Sequence, residues 1–140
     1  MKINTLLVDD DEVVLFLHRM LLERSTLPSP SGIFHNGKEA LDFICKEPPN
    51  RTPCLVFLDI NMPVMNGWEF LDAVQQERFR DKVYVVMVTS SINSQDVHTA
   101  SKYPQVIDYI EKPLRREFFP VLKEKLELLC REHPPEQPER

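Results

Sequence analysis

Short continuous apolar runs alternate along this chain with segments whose apolar residues recur at helical spacing. Ile3 to Val8 is such a run and predicts a buried strand. Val13 to Leu22 follows, with Val14, Leu17, Leu21 and Leu22 spaced for one face of a helix. Gly32 to His35 is a weaker, shorter strand candidate. Lys38 to Cys45 puts Ala40, Leu41, Ile44 and Cys45 on one helical face. Cys54 to Leu58 is the next apolar strand, and Trp68 to Gln76 the next helix, through Trp68, Leu71 and Val74. Val83 to Val88 is entirely apolar and mostly β-branched, which predicts a central strand. Ser94 to Lys102 is a polar helix. Val106 to Ile110 is a fifth strand, and Leu114 to Cys130 a long last helix with Leu122, Leu126 and Leu129 on its inner stripe.

Strand then helix, five times over, predicts an α/β fold. Continuous apolar strands need cover on both faces, so the sheet is parallel and the architecture a three-layer sandwich. The flavodoxin-like (βα)5 arrangement, a five-stranded parallel sheet in order 2-1-3-4-5, suits five such units. The segment Glu47 to Pro53 is a Pro-rich loop. Residues 1–130 form one domain, and residues 131–140 a polar Pro-rich tail expected to be disordered.

Composition narrows the function little. The chain has 140 residues, 42% of them hydrophobic, and a net charge of -5. That balance offers no general attraction to nucleic acid or to an anionic membrane. No apolar run approaches the length of a membrane span, and the start has no signal-peptide pattern, so the expectation is a cytoplasmic protein. Three cysteines without metal-ligand spacing read as reduced thiols. The four histidines form no metal motif and are read as surface or core residues.

The candidate chemistry lies where the strands end. In an open sheet of this kind, ligands bind beyond the carboxyl ends of the strands. The first strand runs out into Asp9 and Asp10, the third into Asp59, the fourth into Thr89 and Ser90, and the fifth into Glu111, Lys112 and Pro113. Two carboxylates about 4 Å apart repel by about 4 kcal/mol at an effective dielectric near 20. Such a site favours a divalent cation, and oxygen donors without His or Cys favour Mg²⁺, or Mn²⁺. With a lysine and a hydroxyl beside them, the carboxylates suit phosphoryl transfer, and one of them is a competent nucleophile. Asp59 lies too far ahead of the next helix to cap it. Asp11 and Glu12 read as the capping and first-turn acids of the first helix.

The motifs LLVDDDE, LDINMPVMNG, VTSS and YIEKP, in this order, resemble the receiver domain of two-component response regulators. The resemblance covers about Ile3 to Cys130. It implies that Asp59 is the phosphoacceptor, that Asp10 holds Mg²⁺ directly and Asp9 mainly through water, and that the carbonyl of Asn61 is a third protein ligand. It further implies Thr89 as the switch hydroxyl, Tyr109 as the aromatic that moves with it, and Lys112 as the partner of the phosphoryl oxygens. The implied partners are a sensor histidine kinase or His-phosphotransfer protein and a downstream protein target, with no nucleic acid and no membrane. The implied state is a monomer, or a weak dimer through the face built by the fourth helix, fifth strand and fifth helix. The implied activity is a self-catalysed phosphorylation switch and not a turnover enzyme. Two rivals remain. The Asp9, Asp11, Val13 spacing resembles the nucleophile motif of haloacid-dehalogenase-type phosphatases, but no later acidic strand end and no cap insertion accompany it. A receiver-like docking module that is never phosphorylated is the other.

Overall fold

The computed structural model describes residues 2–90 and 92–132. Its strands are β1 (Asn4–Val8), β2 (Gly32–Phe34), β3 (Cys54–Leu58), β4 (Val83–Thr89) and β5 (Val106–Glu111). Its helices are α1 (Glu12–Glu23), α2 (Gly37–Lys46), α3 (Gly67–Gln75), α4 (Ser94–Ala100) and α5 (Phe118–Glu132), with a 3-10 turn at Arg80–Lys82. The sheet is parallel, in the order β2-β1-β3-β4-β5. The expected flavodoxin-like architecture is therefore the observed one.

Alternation along the strands divides the core into two layers. Leu6, Val8, Val56, Leu58, Val85 and Met87 pack against Ala40 and Ile44 of α2 and against Phe70, Leu71 and Val74 of α3. Leu7, Leu55, Phe57, Val86 and Val88 face the other way, onto Leu15 and Leu22 of α1 and onto Phe119, Leu122 and Leu126 of α5. Each central strand is thus apolar on both sides, which is why its sequence shows no polar alternation.

Local signals fix the helix starts. Asp11 caps α1, its carboxylate accepting from the amides of Val13 and Val14. Asn36 caps α2. Asn66 and Glu69 form a reciprocal capping box on α3.

Three features depart from the sequence reading. The buried stripe of α1 is Leu15, His18 and Leu22, while Val13 and Phe16 face solvent and Val14, Leu17 and Leu21 are half-buried. That helix is apolar nearly all round, so periodicity could not choose the face. The last helix begins at Phe118, not Leu114. Arg116 and Glu117 form a turn first, with bonds from the Phe118 amide to the Arg115 carbonyl and from the Phe119 amide to the Arg116 carbonyl. Pro120 then falls in the first turn, where a missing N–H costs nothing. At its other end α5 runs to Glu132, two residues into the expected tail; residues 133–140, His133 included, lie outside the described residues.

Strand β5 carries a bulge opposite Val85 and Val86, where Ile107 is the extra residue. Lys125 of α5 closes it by donating to the Ile107 carbonyl at 2.9 Å and pairing with Asp108 at 3.4 Å. The turn before β5 is tied to α3: the Tyr103 hydroxyl donates to Asp72 at 2.6 Å, the Gln105 amide to the Leu71 carbonyl at 3.1 Å, and Trp68 stacks on Tyr103.

Candidate functional site: an acidic pocket at the strand ends

Strand register brings the acids together. Val8 of β1 pairs with Leu58 of β3, so the next residues, Asp9 and Asp59, emerge level on adjacent strands about 4.8 Å apart. Ladder bonds continue through both: the Asp9 amide donates to the Phe34 carbonyl and the Asp59 amide to Val8. Both carboxylates are buried, whereas Asp10 is exposed. One oxygen from each of Asp9, Asp10 and Asp59 lies within 4.8 Å of the others.

The ammonium of Lys112 sits against the two buried members, 2.6 Å from Asp9 and 3.3 Å from Asp59. Thr89 pairs with Glu111 at the level ends of β4 and β5, and the Lys112 amide donates to the Thr89 carbonyl at 2.7 Å. The Lys112–Pro113 peptide is cis. Burial alone would lower the lysine pKa; the hydrogen bond and charge of Asp9, with those of Asp59, more than offset it and the pKa is raised. For Asp59, burial comes first and the charge of Asp9 second; they push its carboxyl up to about 6, against Lys112 and the Ile60 amide, which stabilise the anion. The site therefore holds more negative charge than its one lysine balances. A hard divalent cation on carboxylate oxygens would balance it, and the donor set fits Mg²⁺ or Mn²⁺.

The loop after Asp59 closes one side. Gly67 is required there, because a Cβ would lie 2.5 Å from the Asp59 carbonyl oxygen. Its amide donates to the Ile60 carbonyl at 2.8 Å, which folds the loop back on the strand end. Val64 at the loop tip takes a φ of 68°, an uncommon conformation for a β-branched residue. The carbonyl of Met65 accepts from the Gly37 amide and ties this loop to the start of α2.

Asp9, Asp10, Asp59 and Lys112 thus converge as the sequence led one to expect. Thr89 is buried at the adjoining strand end. Asn61 is exposed on the loop two residues beyond Asp59. Tyr109, in β5, is half-buried with its hydroxyl inside. Burial first, then the Asp96 charge, raise its pKa, and the approach of Thr89 offsets part of this. Asp11, the third acid of the run, is committed to capping α1. The sequence marks His18 only as a surface or core residue. It is buried, and its Nε2 accepts from the Leu114 amide at 3.2 Å. A lone histidine on an apolar helix gives no sequence signal of such a bond.

Comparison with known proteins places the chain in a family. A family model described as the response regulator receiver domain matches residues 5–121. A chemotaxis protein CheY homolog of Campylobacter jejuni is 38% identical over 92 residues, 66% of this chain and 65% of that protein. The sensory transduction protein LytT of Oceanobacillus iheyensis is 27% identical over 128 residues, covering 90% of this chain and 48% of LytT. The chain thus spans about half to two-thirds of the length of these curated relatives. Among solved structures, a two component response regulator from Cytophaga hutchinsonii superposes with a TM-score of 0.81 at 28% identity, over 91% of this chain and 99% of that one. Acids on adjacent strand ends, a lysine on the far strand and a family match over most of the sheet lead to one conclusion: the chain belongs to the response regulator receiver family of two-component signalling.

Proposed function

We propose that this chain is a phosphorylation switch in which Asp59 accepts a phosphoryl group from a phosphohistidine, presented by a sensor histidine kinase or a His-phosphotransfer protein. The observation that carries the reading is the convergence of three carboxylate oxygens within 4.8 Å, with Lys112 against the two buried ones. Asp9, Asp10, Asp59 and the carbonyl of Asn61 are the residues that would hold Mg²⁺, which supplies charge neutralisation for the entering phosphoryl group. An oxygen of Asp59 forms the new bond to phosphorus as the bond to the imidazole nitrogen breaks, and the electron pair leaves with the imidazole. The Asp59 carboxyl is held on its strand by the Ile60 amide, at 2.9 Å from one oxygen. The Lys112 ammonium stabilises charge on the phosphoryl oxygens, and the Thr89 hydroxyl donates to one of them.

The output follows from the same residues. Thr89 moving toward the phosphoryl group leaves a space beside the Tyr109 ring, and the pair biases the surface built from α4, β5 and α5. Hydrolysis of the acyl phosphate resets it. In this reading the chain is a switch that signals by protein contact and not a turnover enzyme. It works as a monomer or as a weak dimer through that surface.

Incubation with acetyl phosphate, followed by intact-mass measurement with and without Mg²⁺, tests the proposal. A phosphoryl adduct that needs Mg²⁺ and disappears in Asp59→Asn is the expected result. No adduct on the wild type, with beryllofluoride also failing to bind, would overturn it in favour of an unphosphorylated docking module.

A further inference from the structure

We propose that His18 is a positioning residue: its imidazole fixes the loop between β5 and α5 and so holds the Lys112 ammonium against Asp9 and Asp59. The inference rests on the reading of the acidic pocket as a phosphorylation site.

The loop has few ways to be held. Pro113 has no amide hydrogen, so Lys112 and Leu114 supply the only two amide donors between residues 112 and 114. The Lys112 amide is committed to the Thr89 carbonyl in β4. The Leu114 amide is committed to His18 Nε2 in α1, at 3.2 Å. The backbone of the loop is therefore tied to the fourth strand and the first helix, and among the described residues one of those two amide bonds ends on a side chain. His18 and Leu114 are both almost fully buried, so water does not replace that acceptor. The helix that supplies it also follows directly on Asp9 and Asp10, so both sides of the Lys112–Asp9 ion pair are referred to the same element.

The imidazole suits this role only while neutral, because a protonated ring would meet the amide as donor against donor. Burial, and then the charge of Lys112, keep it so, lowering its pKa to about 4. A lysine has a long flexible stem, and in phosphoryl transfer it acts as a point charge whose value depends on where it stands. An apolar residue at position 18 would fill the core and leave the Lys112 amide as the one outward backbone hydrogen bond of the loop among the described residues.

The test compares wild type, His18→Leu, His18→Gln, Lys112→Ala and the double variant His18→Leu with Lys112→Ala. The rate of phosphorylation by acetyl phosphate is measured at saturating Mg²⁺, and the Lys112 ammonium resonance is followed by NMR. Expected is a loss on the order of 10-fold in His18→Leu. His18→Gln, which keeps an acceptor, should recover most of it. In the Lys112→Ala background, His18→Leu should cause no further loss, whereas a merely structural effect would add. The ammonium protons should exchange with water faster in His18→Leu and stay near wild type in His18→Gln. If His18→Leu does not fold, His18→Asn takes its place, since its amide is too short to reach Leu114. A wild-type rate and wild-type ammonium exchange in His18→Leu overturn the inference alone. A fractional loss that persists without Lys112 does the same. A wild type that takes no phosphoryl group overturns the phosphorylation reading, and the ammonium exchange then decides the positioning claim by itself.

Discussion

Replacing Asp59 by asparagine should make the protein more stable while abolishing its proposed activity. The carboxyl is buried beside Asp9, and its pKa is raised from 3.8 to about 6. A group with a raised native pKa contributes stability below its unfolded value and loses it as the pH rises through the native one. At neutral pH the native state thus carries an ionised carboxylate that the unfolded chain solvates better. Two pKa units at about 1.4 kcal/mol each make this strain about 3 kcal/mol. Asparagine keeps an oxygen for the Ile60 amide and removes the charge. Urea unfolding in the presence of a chelator is the assay. With an m-value of about 2 kcal/mol/M, the Asp59→Asn midpoint at pH 7.5 should rise by about 1.5 M. At pH 4.5, where native Asp59 is protonated and its unfolded counterpart only partly ionised, the gain should shrink to about 1 kcal/mol. Titrating groups away from the pocket are common to both proteins and cancel in the difference, whereas Asp9 and Lys112 face Asp59 and respond to its charge. A gain equal at both pH values would place the effect in packing. No gain at pH 7.5 would refute the electrostatic reasoning.

Other outcomes follow from the same geometry. Lys112→Met leaves Asp9 and Asp59 buried without their cation and should cost about 3–5 kcal/mol at neutral pH, most of it restored by millimolar Mg²⁺ in thermal melts. Gly67→Ala forces a methyl against the Asp59 carbonyl and should lower stability by about 1–3 kcal/mol, with slower phosphorylation; an unchanged melting curve would contradict this. Thr5 is fully buried and its hydroxyl has no partner among the described residues, so Thr5→Val should stabilise by about 1–2 kcal/mol in denaturant titrations without altering phosphorylation.

The central strands β3 and β4 were legible because burial on both faces leaves little room for polar residues. VYVVMV could be little else than a central strand, and it became β4. The pocket was legible for a related reason. Asp59 ends an apolar run as an acid, and the strand-end rule sets it on one rim with Asp9, Asp10, Thr89 and Lys112. What stayed hidden depends on tertiary contacts that no single segment encodes. The apolar residues of α1 surround the helix, so only packing on the sheet selects Leu15, His18 and Leu22. The bulge at Ile107 reflects the carbonyl contact from Lys125 in α5, eighteen residues away. Just ahead of α5, Leu114 gives its amide to His18, which lies ninety-six residues earlier.

The central claim is that Asp59, and not a neighbouring carboxylate, carries the phosphoryl group. Borohydride reduces an acyl phosphate to the alcohol, so the phosphorylated aspartate becomes homoserine and can be located by peptide mass spectrometry. After acetyl phosphate and Mg²⁺, homoserine at position 59 and nowhere else is the predicted result. Homoserine at position 9, 10 or 11 would contradict the account and would transfer the nucleophile to the first strand end, where the phosphatase-like motif lies.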